Sequence, residues 1–197
     1  MSKTKWPELG VVVPQHRRPI RQKISRKLLE WAGWGVEGNI PDLPKMVAVG
    51  APHTSNWDLI FTILYTYALG VDLSWMGKHT LFKPPFGWLF RKLGGIPVDR
   101  RAPRGTVGQM ADVLNQHESL ILAIMPEGTR SKVREWRSGF YYIALEAGVP
   151  LAMVGLDFNR KRVVLGGPFW PTGDFEADLP RFKSFYKDFR GYNPNLE

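Results

Sequence analysis

The stretch Met46-Val47-Ala48-Val49-Gly50-Ala51-Pro52-His53-Thr54-Ser55-Asn56-Trp57-Asp58 decides the fold. Residues 46–51 are a run of small apolar residues that reads as a buried strand, and the apolar run at 59–69 reads as a helix. The loop between them sits at a strand-to-helix junction, where α/β proteins expose reactive groups. His53 is the one side chain in this loop suited to take up and release a proton near neutrality. Asp58 follows at a spacing that turns through about 500° on an ideal helix, leaving the two side chains roughly 140° apart. They meet only if His53 lies in the loop and Asp58 in the first helical turn. Pro52 favours that arrangement, and Thr54, Ser55 or Asn56 can cap the helix. The carboxylate would then accept the imidazole N–H, fix the tautomer and leave the second nitrogen free as a base. Taken alone, such a pair is more often structural than catalytic.

A second stretch changes the balance. Residues 121–125, Ile-Leu-Ala-Ile-Met, read as a short buried strand, and Pro126-Glu127-Gly128-Thr129-Arg130-Ser131 follows it. A carboxylate, a guanidinium and two hydroxyls thus crowd a glycine-containing turn at a strand's C-terminal end, where ligands bind in open α/β sheets. Together the blocks resemble the glycerolipid acyltransferase family, which includes 1-acylglycerol-3-phosphate acyltransferases. His53 to Asp58 matches its H-x-x-x-x-D block and Glu127 to Arg130 its E-G-T-R block. Gly94-Gly95-Ile96-Pro97-Val98-Asp99-Arg100 is similar to its G-x-I-x-x-x-R block, and Val149-Pro150-Leu151-Ala152-Met153-Val154 loosely to a fourth, proline-containing one. The first and third blocks together are specific; the second and fourth are weak alone.

Composition narrows the chemistry. A chain of 197 residues that is 44% hydrophobic can bury a substantial core in one domain. There is no cysteine, which excludes disulfides, thiolate nucleophiles and Cys-ligated metals. His16, His53, His79 and His117 are scattered without metal-ligand spacing, so no metal site is expected. Residues 1–7 lack the apolar core of a signal peptide, and the apolar stretch 57–71 is shorter than the roughly 20 residues that span a bilayer. No transmembrane helix is expected. A net charge of +9 implies an anionic partner, and eight tryptophans, a residue favoured at membrane interfaces, tilt the choice towards lipid.

Along the chain, residues 1–18 read as an irregular arm and 19–34 as a helix, with Pro19 in its first turn. Ile20, Ile24, Leu28 and Trp31 make one apolar face, and Arg17, Arg18, Arg21, Lys23, Arg26 and Lys27 crowd the remainder. Such a helix suits the plane of an anionic membrane, or docks on the protein's own core. Residues 81–93 are aromatic, basic and interrupted by Pro84 and Pro85. They read as a second membrane-facing patch, a wall of an acyl groove, or ordinary core. Further strands are expected at 71–76, 95–100, 151–157 and 162–165, and helices at 106–116, 138–147 and 174–190. The alternation indicates an α/β fold: a single domain with a central mixed, partly parallel sheet flanked by helices. The resemblance makes it glycerol-3-phosphate acyltransferase-like. Residues 1–38 are assigned to the basic arm and amphipathic helix, and 39–197 to the acyltransferase domain.

The resemblance implies acyl transfer from acyl-CoA or acyl carrier protein to a hydroxyl of a lysophospholipid, 1-acylglycerol-3-phosphate first among acceptors, with no bound cofactor. His53 would be the general base and Asp58 its orienting partner. Arg100 would pair with the acceptor's phosphate, Arg130 would assist, and Glu127 would hydrogen-bond an acceptor hydroxyl, with Gly128 and Thr129 completing the binding turn. Amides at the start of the helix after His53, or in the Gly128 turn, are candidate oxyanion donors. Pro97 and Asp99 depart from the larger apolar or neutral residues of many members, which leaves the acceptor open. The expected location is cytoplasmic, peripheral at the inner face of the cell membrane, without nucleic acid. Two alternatives stay open: a non-catalytic module binding anionic membrane or nucleic acid, and an acyl-thioester hydrolase in which His53 and Asp58 activate water.

Overall fold

A computed structural model of the chain describes residues 5–99, 101–128, 135–193 and 195. Seven strands form one sheet in the order β1-β7-β6-β2-β5-β3-β4. They are β1 (Gly35–Glu37), β2 (Lys45–Ala51), β3 (Leu73–Lys78), β4 (Gly95–Val98), β5 (Leu120–Ile124), β6 (Leu151–Asp157) and β7 (Arg162–Phe169). Among the described strands β6 and β7 pair antiparallel and the other neighbours pair parallel, as expected for a mixed, partly parallel sheet. β1 joins the edge of this sheet, so residues 35–37 of the expected N-terminal segment are part of the α/β unit. The helices are α1 (Pro19–Trp31), α2 (Trp57–Leu69), α3 (Gly87–Lys92), α4 (Gly105–Gln116), α5 (Gly139–Ala147) and α6 (Phe175–Tyr186).

The alternation of side chains along β2 sorts the helices into two layers. Val47 and Val49 face the cluster built from α4, α5 and α6. Met46 and Ala48 face the cluster of α1 and α2, which also takes in Val13 of the arm. α3 belongs to the α1–α2 layer as well. The preceding turn, His79–Phe82, lays the Phe82 ring where a side chain on Gly95 would stand, so only glycine fits there. α6 is fixed from within by Tyr186, whose hydroxyl donates to Val49 O at 2.6 Å and accepts from Val154 N; burial pushes this phenol far up from its ordinary value.

α1 is mounted with its apolar stripe outward. It meets α2 through Ser25 and Leu29, while Ile20, Ile24, Leu28 and Trp31 are exposed, Trp31 by 87%. On its inner side Gln22 and Arg26 donate to carbonyls at the C-terminal end of α2: Ala68 O at 2.8 Å from Arg26 Nε, and Ala68 O and Leu69 O from Gln22. A helix end leaves such carbonyls unpaired and carries partial negative charge, so a guanidinium and an amide are suited to that seat. The helix therefore docks on the core through its polar side, a combination the pattern alone does not separate.

Candidate active site

Parallel strands carry their C-terminal ends to one edge. β2, β5, β3 and β4 are successive neighbours there, which lines up the loops after Ala51, Ile124, Lys78 and Val98. His53 lies in the first loop and Asp58 in the opening turn of α2, the one arrangement in which the pair can meet. Nδ1 of His53 stands 3.0 Å from Oδ2 of Asp58, and the carboxylate is almost fully buried while the imidazole keeps 22% of its surface exposed. Nδ1 has no well-directed hydrogen bond, so the pair is close but imperfectly aligned. That is common in catalytic pairs without substrate.

The same Oδ2 accepts the backbone N–H groups of Thr54 and Ser55, each at 2.9 Å. Asp58 thus holds the backbone of the loop as well as its histidine. The expected cap by a loop side chain is weak: Ser55 Oγ accepts from Trp57 N at 3.2 Å, and the N-cap residue Asn56 makes no capping bond. Across the sheet edge, Glu127 Oε2 accepts the His53 N–H at 2.8 Å. One oxygen of the carboxylate that the resemblance assigns to the acceptor is therefore engaged in shaping the loop that carries His53. The Gly128 amide is also occupied, donating to Met125 O at 3.1 Å. The amides of His53, Thr54, Ser55, Trp57 and Gly128 all have internal acceptors. This corrects the expectation of free oxyanion donors at those amides.

Arg100, Thr129 and Arg130 lie outside the described residues. Their neighbours show what surrounds the second block. Asp99 pairs with Arg101 (Nε to Oδ1, 3.2 Å), and His79 Nδ1 stands 3.8 Å from the same oxygen. The Arg101 side chain, then its backbone N–H, hold the Asp99 carboxyl below the usual carboxylate value. His79, one of the four scattered histidines, directly follows β3. Among the described residues no group of three His, Asp or Glu could hold a metal ion.

An apolar cavity of about 120 Å³ opens between α2 and the sheet beside this pair. Its lining runs from His53 and Asp58 past Phe61 and Tyr65 to Leu165. The register explains the room: Ala123, Ala48 and Ala152 stand side by side on β5, β2 and β6 and form a floor of methyl groups. The polar groups of the α2 wall are turned away from it. Thr62 and Thr66 donate to Asp58 O and Thr62 O at 2.7 Å, and Tyr65 to Gly35 O at 2.7 Å. None of residues 81–93 lines this space; Leu81, Phe86, Trp88, Leu89 and Leu93 are exposed while Phe82 is buried, so the segment is part surface patch and part core.

The family model described as Acyltransferase matches residues 35–156, well over half of the chain. The chain belongs to the acyltransferase family. Within that family it is 28% identical over 120 residues to the 1-acyl-sn-glycerol-3-phosphate acyltransferase of Escherichia coli K12, covering 58% of this chain and 48% of the relative. It is 27% identical over 138 residues to the Pseudomonas aeruginosa PAO1 enzyme of the same name, covering 68% and 49%. The chain thus spans about half the length of these relatives. Among solved acyltransferases, the 1-acyl-sn-glycerophosphate acyltransferase PlsC from Thermotoga maritima shares the fold, with a TM-score of 0.57 at 22% identity over 84% of this chain and 74% of that one.

Proposed function

We propose that this chain is an O-acyltransferase that moves a fatty acyl group from a thioester, acyl-CoA or acyl carrier protein, to a hydroxyl of a lysophospholipid. The observation that carries the reading is an apolar cavity that ends at a histidine–carboxylate pair. An alkyl chain laid in the cavity brings its thioester carbonyl to His53. The acceptor oxygen attacks that carbonyl while its proton passes to Nε2 of His53, and Asp58 stabilises the imidazolium. The tetrahedral intermediate collapses with cleavage of the C–S bond, and the imidazolium returns the proton to the departing thiolate. No acyl-enzyme is needed, in keeping with a sequence that lacks cysteine. The acyltransferase relatives, named for 1-acyl-sn-glycerol-3-phosphate, favour that acceptor, with Arg100 pairing with its phosphate. Mass spectrometry of products from acyl-CoA and a panel of lysophospholipids tests the reading. Thiol release without acceptor that is as fast as with it, and no diacyl product, would make the protein a thioesterase.

The alanine floor gives this reading a graded test. Ala152→Leu adds bulk to one wall of the cavity and should shift preference towards shorter acyl chains. A misfit of one or more methylenes is worth about 10- to 200-fold, so the ratio of kcat/KM for long over short acyl-CoA should drop at least about tenfold. An unchanged ratio would place the acyl chain elsewhere.

The acceptor and product are lipids, and we propose that the α1–α2–α3 layer rests on an anionic membrane surface. Most large hydrophobic side chains exposed among the described residues lie on this layer: the α1 stripe, Trp57, Leu59, Ile60 and Ile63 of α2, and Phe86, Trp88 and Leu89 by α3. The opposite helices expose few, chiefly Tyr142 and Leu145. Lys23 and Lys27 flank the α1 stripe, and each cation near such a surface contributes about 1 kcal/mol. Among the described residues no helix is long and apolar enough to cross a membrane. Ile24→Glu with Leu28→Glu alters exposed positions only. Vesicle co-sedimentation should show binding to anionic vesicles at least about tenfold weaker, since burying each aliphatic side chain is worth about 1.5–3 kcal/mol. The thermal midpoint should hold. Unchanged binding would free the helix of this role.

A further inference from the structure

The backbone that carries His53 is held from a third side, by a segment that follows α6. Asn193 donates twice to Thr54, the residue next to His53: its backbone N–H to Oγ1 at 3.1 Å and its side-chain amide to the carbonyl oxygen at 2.9 Å. Thr54 is only 2% exposed. The approach at residue 191 is close enough that a Cβ on Gly191 would stand 2.5 Å from Thr54 Oγ1, so this position accepts only glycine without displacing the loop. Between them Tyr192 packs against Trp57, at the start of α2, and against Phe158. The segment is itself anchored. Phe158 N donates to Arg190 O at 2.8 Å, and Arg190 N to Oδ1 of the fully buried Asp157.

We propose that residues 191–193 form a strap that sets the position of the His53 imidazole, with Asn193 and Thr54 as positioning residues for the transfer reaction; this rests on the acyl-transfer reading above. The three holds are complementary. Glu127 fixes the His53 amide, Asp58 fixes the amides of Thr54 and Ser55, and the strap fixes the carbonyl and hydroxyl of Thr54. The first two pull the N–H groups of the loop towards the sheet edge and α2. The strap grips the carbonyl and hydroxyl of Thr54. Without it Thr54 is left with the bonds of the loop's amides to Asp58, and the backbone beside His53 loosens, so the imidazole shifts with respect to the mouth of the cavity. Misplacement by about 1 Å can cost about 100-fold in rate, so loss of one of several holds should cost about a tenth of that.

The test uses Asn193→Ala, Thr54→Val, the double variant and Thr54→Ser in the full chain. Steady-state transfer from acyl-CoA to a lysophospholipid should show kcat about tenfold lower for each of the first two, with KM for the donor within about twofold. Asn193→Ala removes the bond to the Thr54 carbonyl and Thr54→Val the bond to its hydroxyl, so the double variant loses both and should be at least as impaired as the weaker single one. Thr54→Ser keeps the hydroxyl and should retain most of the activity. Hydrogen exchange followed by mass spectrometry should show faster exchange at residues 53–56 in Asn193→Ala and Thr54→Val, with the strands unchanged. Asn193 lies outside the core, so its variant carries the test if Thr54→Val does not fold. Unchanged kcat in Asn193→Ala, a double variant more active than the weaker single one, or unchanged exchange at 53–56 overturns the strap. If the wild-type chain transfers no acyl group, the acyl-transfer reading fails, and the exchange measurement still decides whether the strap holds the loop.

Discussion

His53→Ala should lower kcat for acyl transfer by about 100- to 10,000-fold, the range set by loss of a general base. The side chain is partly exposed and sits in a loop, so its removal leaves no cavity in the core, and the thermal midpoint should scarcely move. That separation of activity from stability makes the result informative. A parallel fall in both would mean that the imidazole is a structural wedge between Asp58 and the cavity. Near wild-type turnover, measured with donor and acceptor both saturating, would remove His53 from the chemistry altogether.

Asp58 should give a different signature, because one of its oxygens serves three groups at once. Asp58→Ala takes away the partner of the imidazole and strands the buried amide of Thr54 together with that of Ser55. Each buried donor left unsatisfied costs about 1–3 kcal/mol. At about 2–4 °C per kcal/mol for a chain of this size, the thermal midpoint should fall by several degrees while activity drops about 1,000-fold or more. Asp58→Asn should separate the two roles. Its carbonyl oxygen can still accept from the two amides, so the midpoint should stay nearer to wild type. The same oxygen also faces Nδ1, so the loop is kept while the negative charge that would stabilise the imidazolium is lost, and activity should fall almost as far as with alanine. Thermal unfolding and kcat/KM measured on both variants decide the matter. An active Asp58→Asn enzyme would show that the charge of this carboxylate is not needed for the reaction.

The sheet, its order of elements and the His53–Asp58 pair were legible in the sequence because each rests on a local signal. Apolar runs of strand length alternate with helical periodicity, and the spacing of the pair admits one geometry. β1 was not legible. Gly33, Gly35 and Gly38 read as chain breakers, and three residues at a sheet edge give no period to detect. α3 was obscured by Pro84 and Pro85 and by its length of six residues. The outward mounting of α1 could not be foreseen either. A stripe announces that a helix has two faces, whereas the face that docks is chosen by the carbonyls at the end of α2, which require Gln22 and Arg26. The cavity depends on three alanines brought abreast by strand register, and the strap on a contact across |i−j| = 139 between Asn193 and Thr54. Both are properties of the assembled sheet. Glu127 was found by its motif, yet its partner, the amide of His53, is visible only in the fold.

The methyl floor beneath α2 also has a consequence for folding. A space of about 120 Å³ leaves its apolar lining without packing partners on one side in the free protein. A small domain has little stability to spare, so this is a standing weakness at the centre of the molecule. Larger side chains at positions 48, 123 or 152 would mend it most directly and would obstruct the chain site in the same act. Selection for heat resistance alone would therefore drift towards a sturdier protein with a shorter reach. An occupying alkyl chain supplies the missing contacts without that loss, which makes the loaded state the better-packed form of the fold.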